Sequence, residues 1–215
     1  MKKATSLIYL IVIFICSRAV NAQKSKFSLI AKTFYSLEEA LKRPNKVYRL
    51  DLSNQQFETV SPDISKLKKL QYLSLRNDHL KVLPHQITLL KNLKVLDLGG
   101  NDFQFLDNDF INLKNIETLY LDQDKNFSFT TEIELLSKLP NLKELHLEND
   151  GIAHIPTTIK KLENLEKLYL DNNLLMEVSQ EFKGLKKLIF LDLQHNPIPP
   201  GQHLIQPSGG LKIKF

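Results

Sequence analysis

The sequence predicts an α/β solenoid, a stack of similar coils with extended segments along one face and short helical or irregular pieces along the other. Three observations predict it. The first is a recurring order, Leu-x-x-Leu-x-Leu-x-x-Asn/Asp-x-Leu with close substitutes, beginning at Val47, Leu70, Leu93, Ile116, Leu142, Leu165 and Leu188. Successive starts lie 23, 23, 23, 26, 23 and 23 residues apart, a period that belongs to units burying their apolar sides only by stacking. The second is the spacing inside each unit. In Leu93-x-x-Leu96-x-Leu98 the last two leucines are two residues apart, so in an extended segment both point inward while Asp97 points out. Downstream, Leu80, Leu83, Ile87, Leu90 and Leu93 recur at threes and fours, which suits turns or short helical pieces on a return leg. The third is the pair Pro84 and Pro156, each directly after an inward residue, Leu83 or Ile155, fixing the backbone where the chain turns back.

Taken in order, residues 1–22 read as a secretory signal. Lys2 and Lys3 make a positive start, Leu7 to Cys16 is an almost unbroken apolar run, and Val20-Asn21-Ala22 offers small side chains for cleavage before Gln23. An uncleaved anchor is the second reading, but the run is shorter than the roughly 20 apolar residues a bilayer span needs. A third makes Cys16 a lipid attachment site, against which stands Ile15 where a small residue is wanted. The formal charge of +5 includes Lys2, Lys3 and Arg18 of this segment, and the +2 left after cleavage is too weak to argue for nucleic acid. Cys16 is the only cysteine, so the mature chain would form neither disulfides nor thiolate metal sites.

Residues 23–46 are predicted to form an N-terminal helical cap. Ser36-x-x-Glu39 is a capping-box pattern, Leu37, Ala40 and Leu41 make an apolar side, and Pro44 ends the helix. Seven repeats fill residues 47–198. Residues 199–215 form a C-terminal cap, in which prolines and glycines break the pattern and Leu211-Lys-Ile-Lys-Phe215 alternates like an edge strand.

The segments Leu83-Pro-His-Gln-Ile-Thr-Leu-Leu-Lys-Asn-Leu93 and Ile155-Pro-Thr-Thr-Ile-Lys-Lys-Leu-Glu-Asn-Leu165, each preceded by the strand motif, resemble the leucine-rich repeat family with its Leu-Pro-x-x-Ile return leg. The resemblance covers Val47 to Ile198 and implies a horseshoe whose inner wall is a parallel sheet. It specifies a scaffold more than a function, since the family binds many unrelated partners, mostly proteins.

Departures from the pattern carry expectations of their own. The position usually held by Asn reads Gln55, Asp78, Asn101, Asp124, Asp150, Asn173 and Asn196. Asparagine both accepts and donates, whereas an ionised aspartate only accepts, so the ladder should be weaker at Asp78, Asp124 and Asp150. The fourth repeat is three residues longer and places Asn126 where an inward leucine belongs, which predicts a bulge between Asn126 and Thr131.

The outward strand positions form three columns. The central one runs Asp51, Ser74, Asp97, Tyr120, His146, Tyr169, Asp192, with Arg49, Tyr72, Val95, Thr118, Glu144, Lys167, Phe190 before it and Ser53, Arg76, Gly99, Asp122, Glu148, Asp171, Gln194 after it. With strands about 4.8 Å apart, Tyr120, His146 and Tyr169 should form an aromatic strip flanked by Asp122, Glu148 and Asp171. Aromatic anchors inside a charged rim are the anatomy of a protein-binding hot spot. The candidate ligand-binding residues are therefore Tyr72, Arg76, Tyr120, Asp122, His146, Glu148, Lys167, Tyr169, Asp171 and Phe190. The columns hold more carboxylates than cations, so the face should be acidic while lysines gather on the return legs, as in Lys183-Gly-Leu-Lys-Lys187. A ligand-free polar face, with tyrosines laddering on their neighbours, is the competing reading.

Other chemistry fits poorly. Asp122-x-Asp124-x-Asn126 imitates the start of a calcium loop, but Phe127 stands where glycine is needed and Ile133 where the closing Glu belongs. A looser calcium site among Asp97, Asp122, Asp124 and Glu148 stays open. The histidines show no metal-ligand spacing, and Asn126-Phe-Ser128 is a short match to a glycan acceptor. Ser74 and His146 lie three strands apart, on the order of 14 Å, beyond nucleophile–base reach. The reading is a non-enzymatic exported module, without cofactor or metal, secreted or held at the cell envelope. It would be monomeric, with no membrane span after maturation, and would bind a protein or peptide on its concave face. The alternatives are a surface structural protein that self-associates and an intracellular scaffold. Charge reversal of Asp122, Glu148 and Asp171 should abolish capture and leave thermal stability nearly unchanged.

Overall fold

A computed structural model describes residues 31–57, 59–201 and 210–215. The signal segment with Cys16, its cleavage point after Ala22, and Pro207 and Gly209 of the closing segment lie outside the described residues. Thr33–Phe215 form one compact unit. Its described residues contribute nine short strands to a single sheet: β1 (Thr33–Phe34), β2 (Arg49–Asp51), β3 (Tyr72–Ser74), β4 (Val95–Asp97), β5 (Thr118–Tyr120), β6 (Glu144–His146), β7 (Lys167–Tyr169), β8 (Phe190–Asp192) and β9 (Lys212–Lys214). Strand order follows chain order and every pairing is parallel, so the fold is a solenoid whose sheet lines one wall.

The register repeats one leucine in every coil. Leu50, Leu73, Leu96, Leu119, Leu145, Leu168 and Leu191 pair strand to strand and are all 0% exposed. A second buried column, from Leu52 to Leu193, stands two residues on. Each leucine contributes about 1.5–3 kcal/mol on full burial, and only stacked neighbours can cover it, so no coil is stable alone.

Return legs are mostly 3-10 turns, at Pro62–Lys66, His85–Leu89, Asn108–Asn112, Thr157–Lys161 and Gln180–Gly184. Each drops one apolar side chain into the core: Ile64, Ile87, Phe110, Ile159 or Phe182. Pro84 and Pro156 hold φ of −59° and −74° at the entry to two of them, while Ser61 and Ser179 cap two others by accepting from the N–H groups of Asp63 and Glu181.

The fourth repeat differs from the predicted bulge. Its return leg is an α-helix, α2 (Phe129–Leu136), the first helix α1 being Leu37–Leu41. Phe129, Ile133 and Leu136 share one helical face and are buried, and Phe127 enters the core in place of the exposed Asn126. The three added residues thus supply a helical turn on the convex side. Glu132 is buried on this helix and reaches back to the Leu106 N–H at 3.2 Å, which ties the longer leg to the preceding coil.

At its ends the stack is closed by the two flanks. Ser36 caps α1 by accepting from the Glu39 N–H, Ala40 is buried, and Leu37 and Leu41 pack against the core. The two-residue strand β1 beside β2 was not anticipated; it is too short to show a period in the sequence. At the other end, β9 pairs with β8 through Ile213 opposite Leu191.

Two asparagine ladders stitch the coils together. In the predicted one, Asn101 accepts from the N–H groups of Asp78 and Leu80 and donates to the carbonyls of Leu75 and Leu98; Asn173 repeats this arrangement three coils further along. At Asp78 and Asp150 Oδ1 accepts in the same way, from the Gln55, Gln56 and Asp124 N–H groups. The second ladder is new. Asn92, Asn115, Asn141 and Asn164 each donate to a carbonyl of the preceding coil, at Lys68, Lys91, Lys114 and Pro140, over 2.8–2.9 Å. Every coil also needs one left-handed residue just ahead of the first ladder: Asn54, Asn77, Gly100, Gln123, Asn149, Asn172 and His195 all have positive φ. Asparagine and glycine fill five of the seven, the residue types that tolerate this region at least cost.

Candidate functional site

The outward columns emerge in register, because parallel strands with 23-residue coils place equivalent residues side by side. Tyr120 lies opposite His146 and His146 opposite Tyr169. Their rings stack face to face, Tyr120 on His146 at 4.0 Å and His146 on Tyr169 at 4.1 Å, with interplanar angles of 21° and 8°. Phe190 tilts onto Tyr169 at 5.1 Å. Cations end the run on both sides, with the Arg76 guanidinium 6.0 Å from the Tyr120 ring and Lys214 Nζ 5.3 Å from Phe190. Further along, Arg49 lies over Tyr72 at 4.0 Å. The ring faces in the middle of the strip are therefore used internally, and the inner wall is offered their edges.

The flanking acids are paired, one set across strands and one within a single coil. Arg76 is the centre of one set: Nη1 and Nη2 donate to Asp122 at 2.8 and 2.6 Å, and Nε donates to Asp97 at 3.1 Å. Burial pulls this guanidinium down, but its bonds to Asp122 and the charges of Asp97 and Asp122 outweigh that and hold it well above its ordinary range. Gly99 makes the arrangement possible, since a Cβ there would sit on the guanidinium. His146 is the centre of a second set, its Nε2 3.1 Å from Glu144 and its Nδ1 2.9 Å from Glu148. It is 8% exposed. Burial works against its charge, yet the hydrogen bonds to Glu144 and Glu148 push its pKa up to about 9, so it is an imidazolium sandwiched between two tyrosines.

The two glutamates respond differently to that one cation. Glu144 also holds Lys167 at 3.2 Å, and despite its burial the His146 and Lys167 bonds draw it below the usual carboxylate range. Glu148 meets no second cation among the described residues and faces Asp122, so burial and that like charge leave it raised. Burial, with carboxylates nearby, also pushes Tyr72 up to about 12 and Tyr120 and Tyr169 higher still, so all three are neutral hydroxyl donors at physiological pH.

Several expectations change. The acids do not form a free rim: Asp122 and Asp97 are held by Arg76, Glu144 and Glu148 by His146, and Asp192 by Lys214 at 2.9 Å. Asp171, half-buried, accepts from the Asn172 amide and takes part in no ion pair among the described residues. Charge reversal of Asp122 or Glu148 would break buried pairs, so stability would not stay unchanged. The looser calcium site is also corrected, because the space between Asp97 and Asp122 is filled by the Arg76 guanidinium. Sequence reasoning missed Gly99 and Glu144 as organisers of the face. The alternation of charge sign along neighbouring columns could have pointed to Glu144, but nothing local marks Gly99 as the partner of a side chain 23 residues earlier.

A sequence model described as leucine rich repeat matches residues 45–103, 69–125 and 140–198. No curated protein matches the chain significantly. Among solved structures, a leucine-rich repeat protein of Leptospira interrogans is similar, with 32% identity over 78% of this chain and 48% of that one and a TM-score of 0.62. The plant peptide hormone receptor RGFR1 in complex with RGF2 is similar at 26% identity over 71% of this chain and 25% of that one, with a TM-score of 0.51. The chain thus spans about half the length of the first and a quarter of the second.

Proposed function

The chain belongs to the leucine-rich repeat family, and from that premise we propose that it is a non-catalytic recognition module that captures a protein or peptide on its concave face. The observation that carries the proposal is the locked row from Arg76 through Tyr120, His146, Tyr169 and Phe190 to Lys214. A sheet face that needs only to stay wet gains nothing from desolvating an imidazolium and a guanidinium, each of which costs free energy to bury. A rigid face does lower the ordering cost of binding. The plant receptor, whose structure holds a complex, supports the same reading.

With ring faces closed, the partner is met by edges: the neutral hydroxyl of Tyr120, that of Tyr169 beside the Glu144 it is bonded to, the aromatic edge of Phe190, and the carboxylate of Asp171. An extended segment with hydrogen-bonding groups and at least one cationic side chain fits that array. The chain would act after export, on the strength of the residue 1–22 signal; no helix among the described residues is long and apolar enough to cross a membrane. Edge-to-edge assembly is opposed by Lys212 and Lys214, which put charge on strand β9.

The test uses a displayed peptide library selected on the immobilised chain. Tyr120→Phe with Tyr169→Phe removes two hydroxyls without unstacking His146, and Asp171→Lys reverses a half-buried charge. Selected peptides should lose at least tenfold in affinity to one of these variants, about 1.4 kcal/mol, with unfolding midpoints little changed. Binding that survives all three substitutions refutes the concave site.

A further inference from the structure

In the coils where the ladder position is asparagine, its amide nitrogen bridges two carbonyls. Asn101 Nδ2 reaches Leu75 and Leu98, Asn173 Nδ2 reaches Leu147 and Leu170, and Asn196 Nδ2 reaches Leu170 and Leu193. Asp78 and Asp150 occupy the same register with the same accepting role for Oδ1. Their Oδ2 atoms, which stand where the amide nitrogen should be, are buried and have no hydrogen-bond partner. By the repeat register, Asp150 Oδ2 faces the carbonyls of Leu121 and Leu147, and Asp78 Oδ2 those of Leu52 and Leu75. An ionised oxygen set against two carbonyl oxygens is repelled by both, whereas a hydroxyl there donates to one of them.

We propose that Asp78 and Asp150 sit in the stack as neutral carboxylic acids, each O–H closing the gap that an asparagine amide closes in the other coils, so that protons hold together the coils behind the concave face.

The surroundings agree. The charged groups bearing on Asp150 are Asp122 and Asp124 of the preceding coil and Glu148 of its own, all carboxylates, and the following coil brings the neutral Asn173. Burial, with those charges, pushes Asp150 up to about 8. Around Asp78 stand Asp51 of the preceding coil, His79 of its own and neutral Asn101 of the next, and burial again raises the carboxyl. Among the described residues no group of three or more acids, histidines or cysteines is placed to hold a metal ion.

A carboxyl of this kind stays protonated in the folded chain while it ionises in the unfolded one. For Asp150 the stabilising effect is complete below the ordinary carboxylate pKa and is lost as pH rises through about 8, at up to about tenfold in the folding constant per pH unit; Asp78 contributes in the same direction, its carboxyl being raised by burial. The stack is accordingly tightest in mild acid. This goes beyond the ligand reading, since none of its readouts needs a partner.

Urea unfolding across this pH window, with Asp78→Asn, Asp150→Asn and the double variant, tests it. Asparagine is the residue of the neighbouring coils, so the variants fold. Asp150→Asn should flatten the fall in stability, raise the folding constant at about pH 8 by at least tenfold, and remove part of the infrared carbonyl band of protonated carboxyl groups at about pH 6; Asp78→Asn should act in the same direction. Conversely, Asn173→Asp should add a new fall over the same window. An unchanged pH slope with an unchanged carboxyl band in the double variant overturns the proposal.

Discussion

Arg76→Ala should be among the most damaging single substitutions on the inner wall, although it removes no leucine from the buried columns. The side chain makes two bonds to Asp122 and one to Asp97. Asp122 is 6% exposed, so removal leaves two carboxylates on adjacent strands without the cation that both were desolvated to meet. Breaking a buried pair from one side costs about 3–5 kcal/mol. Because 23% of the Arg76 side chain meets solvent, the lower end applies, about 3 kcal/mol, a large part of the 5–15 kcal/mol that holds a typical domain. In a chain of this size that lowers the melting temperature by roughly 6–12 °C. Arg76→Lys should recover little, since an ammonium cannot bridge Asp97 and make a two-point contact with Asp122 together. Gly99→Ala should reproduce part of the loss by evicting the guanidinium. Calorimetry and urea unfolding measure these losses, and a double-mutant cycle with Asp122→Asn should give a coupling of about 1.5 kcal/mol or more. A loss below about 1 kcal/mol for Arg76→Ala, or additive losses in the cycle, would refute the clamp.

His146, with a folded pKa above its unfolded value, lends stability in full below about pH 6.5 and loses it as pH rises through about 9. His146→Phe keeps the stack but leaves Glu148 without its cation and Glu144 with Lys167 alone, so it should cost about 3 kcal/mol at neutral pH and lack that alkaline fall; a histidine resonance already neutral at about pH 7.5 would contradict this. In α2, Ile133→Ala empties a fully buried site and should cost about 2–5 kcal/mol by urea unfolding, whereas a surface bulge would tolerate it.

Much of the scaffold is visible in the spacing of residues, and much of the site is not. The period, the inward leucines, the capping serine at 36 and the outward columns all follow from local geometry, because a residue's side of a strand depends only on its neighbours two positions away. For the same reason the adjacency of Tyr120, His146 and Tyr169 was legible: once coils stack, equal periods give equal register. Pairing within that face was not. Which acids Arg76 takes and why Gly99 is empty depend on distances between side chains 21 to 46 residues apart, whereas Glu144, His146 and Glu148 stand two residues apart along one coil.

The sequence by itself determined the solenoid, its coil boundaries and the inventory of its inner wall, since repetition transmits one local conformation along the chain. Only the tertiary structure decided how that inventory is spent. Charges that looked free in three columns are neutralised by Arg76 across strands and by His146 within its own coil, ring faces that looked available are stacked, and three added residues wound into a helix because Phe129, Ile133 and Leu136 found a core to enter. Coulomb attraction and burial act through space, and a linear pattern specifies them only after the coils have been laid side by side.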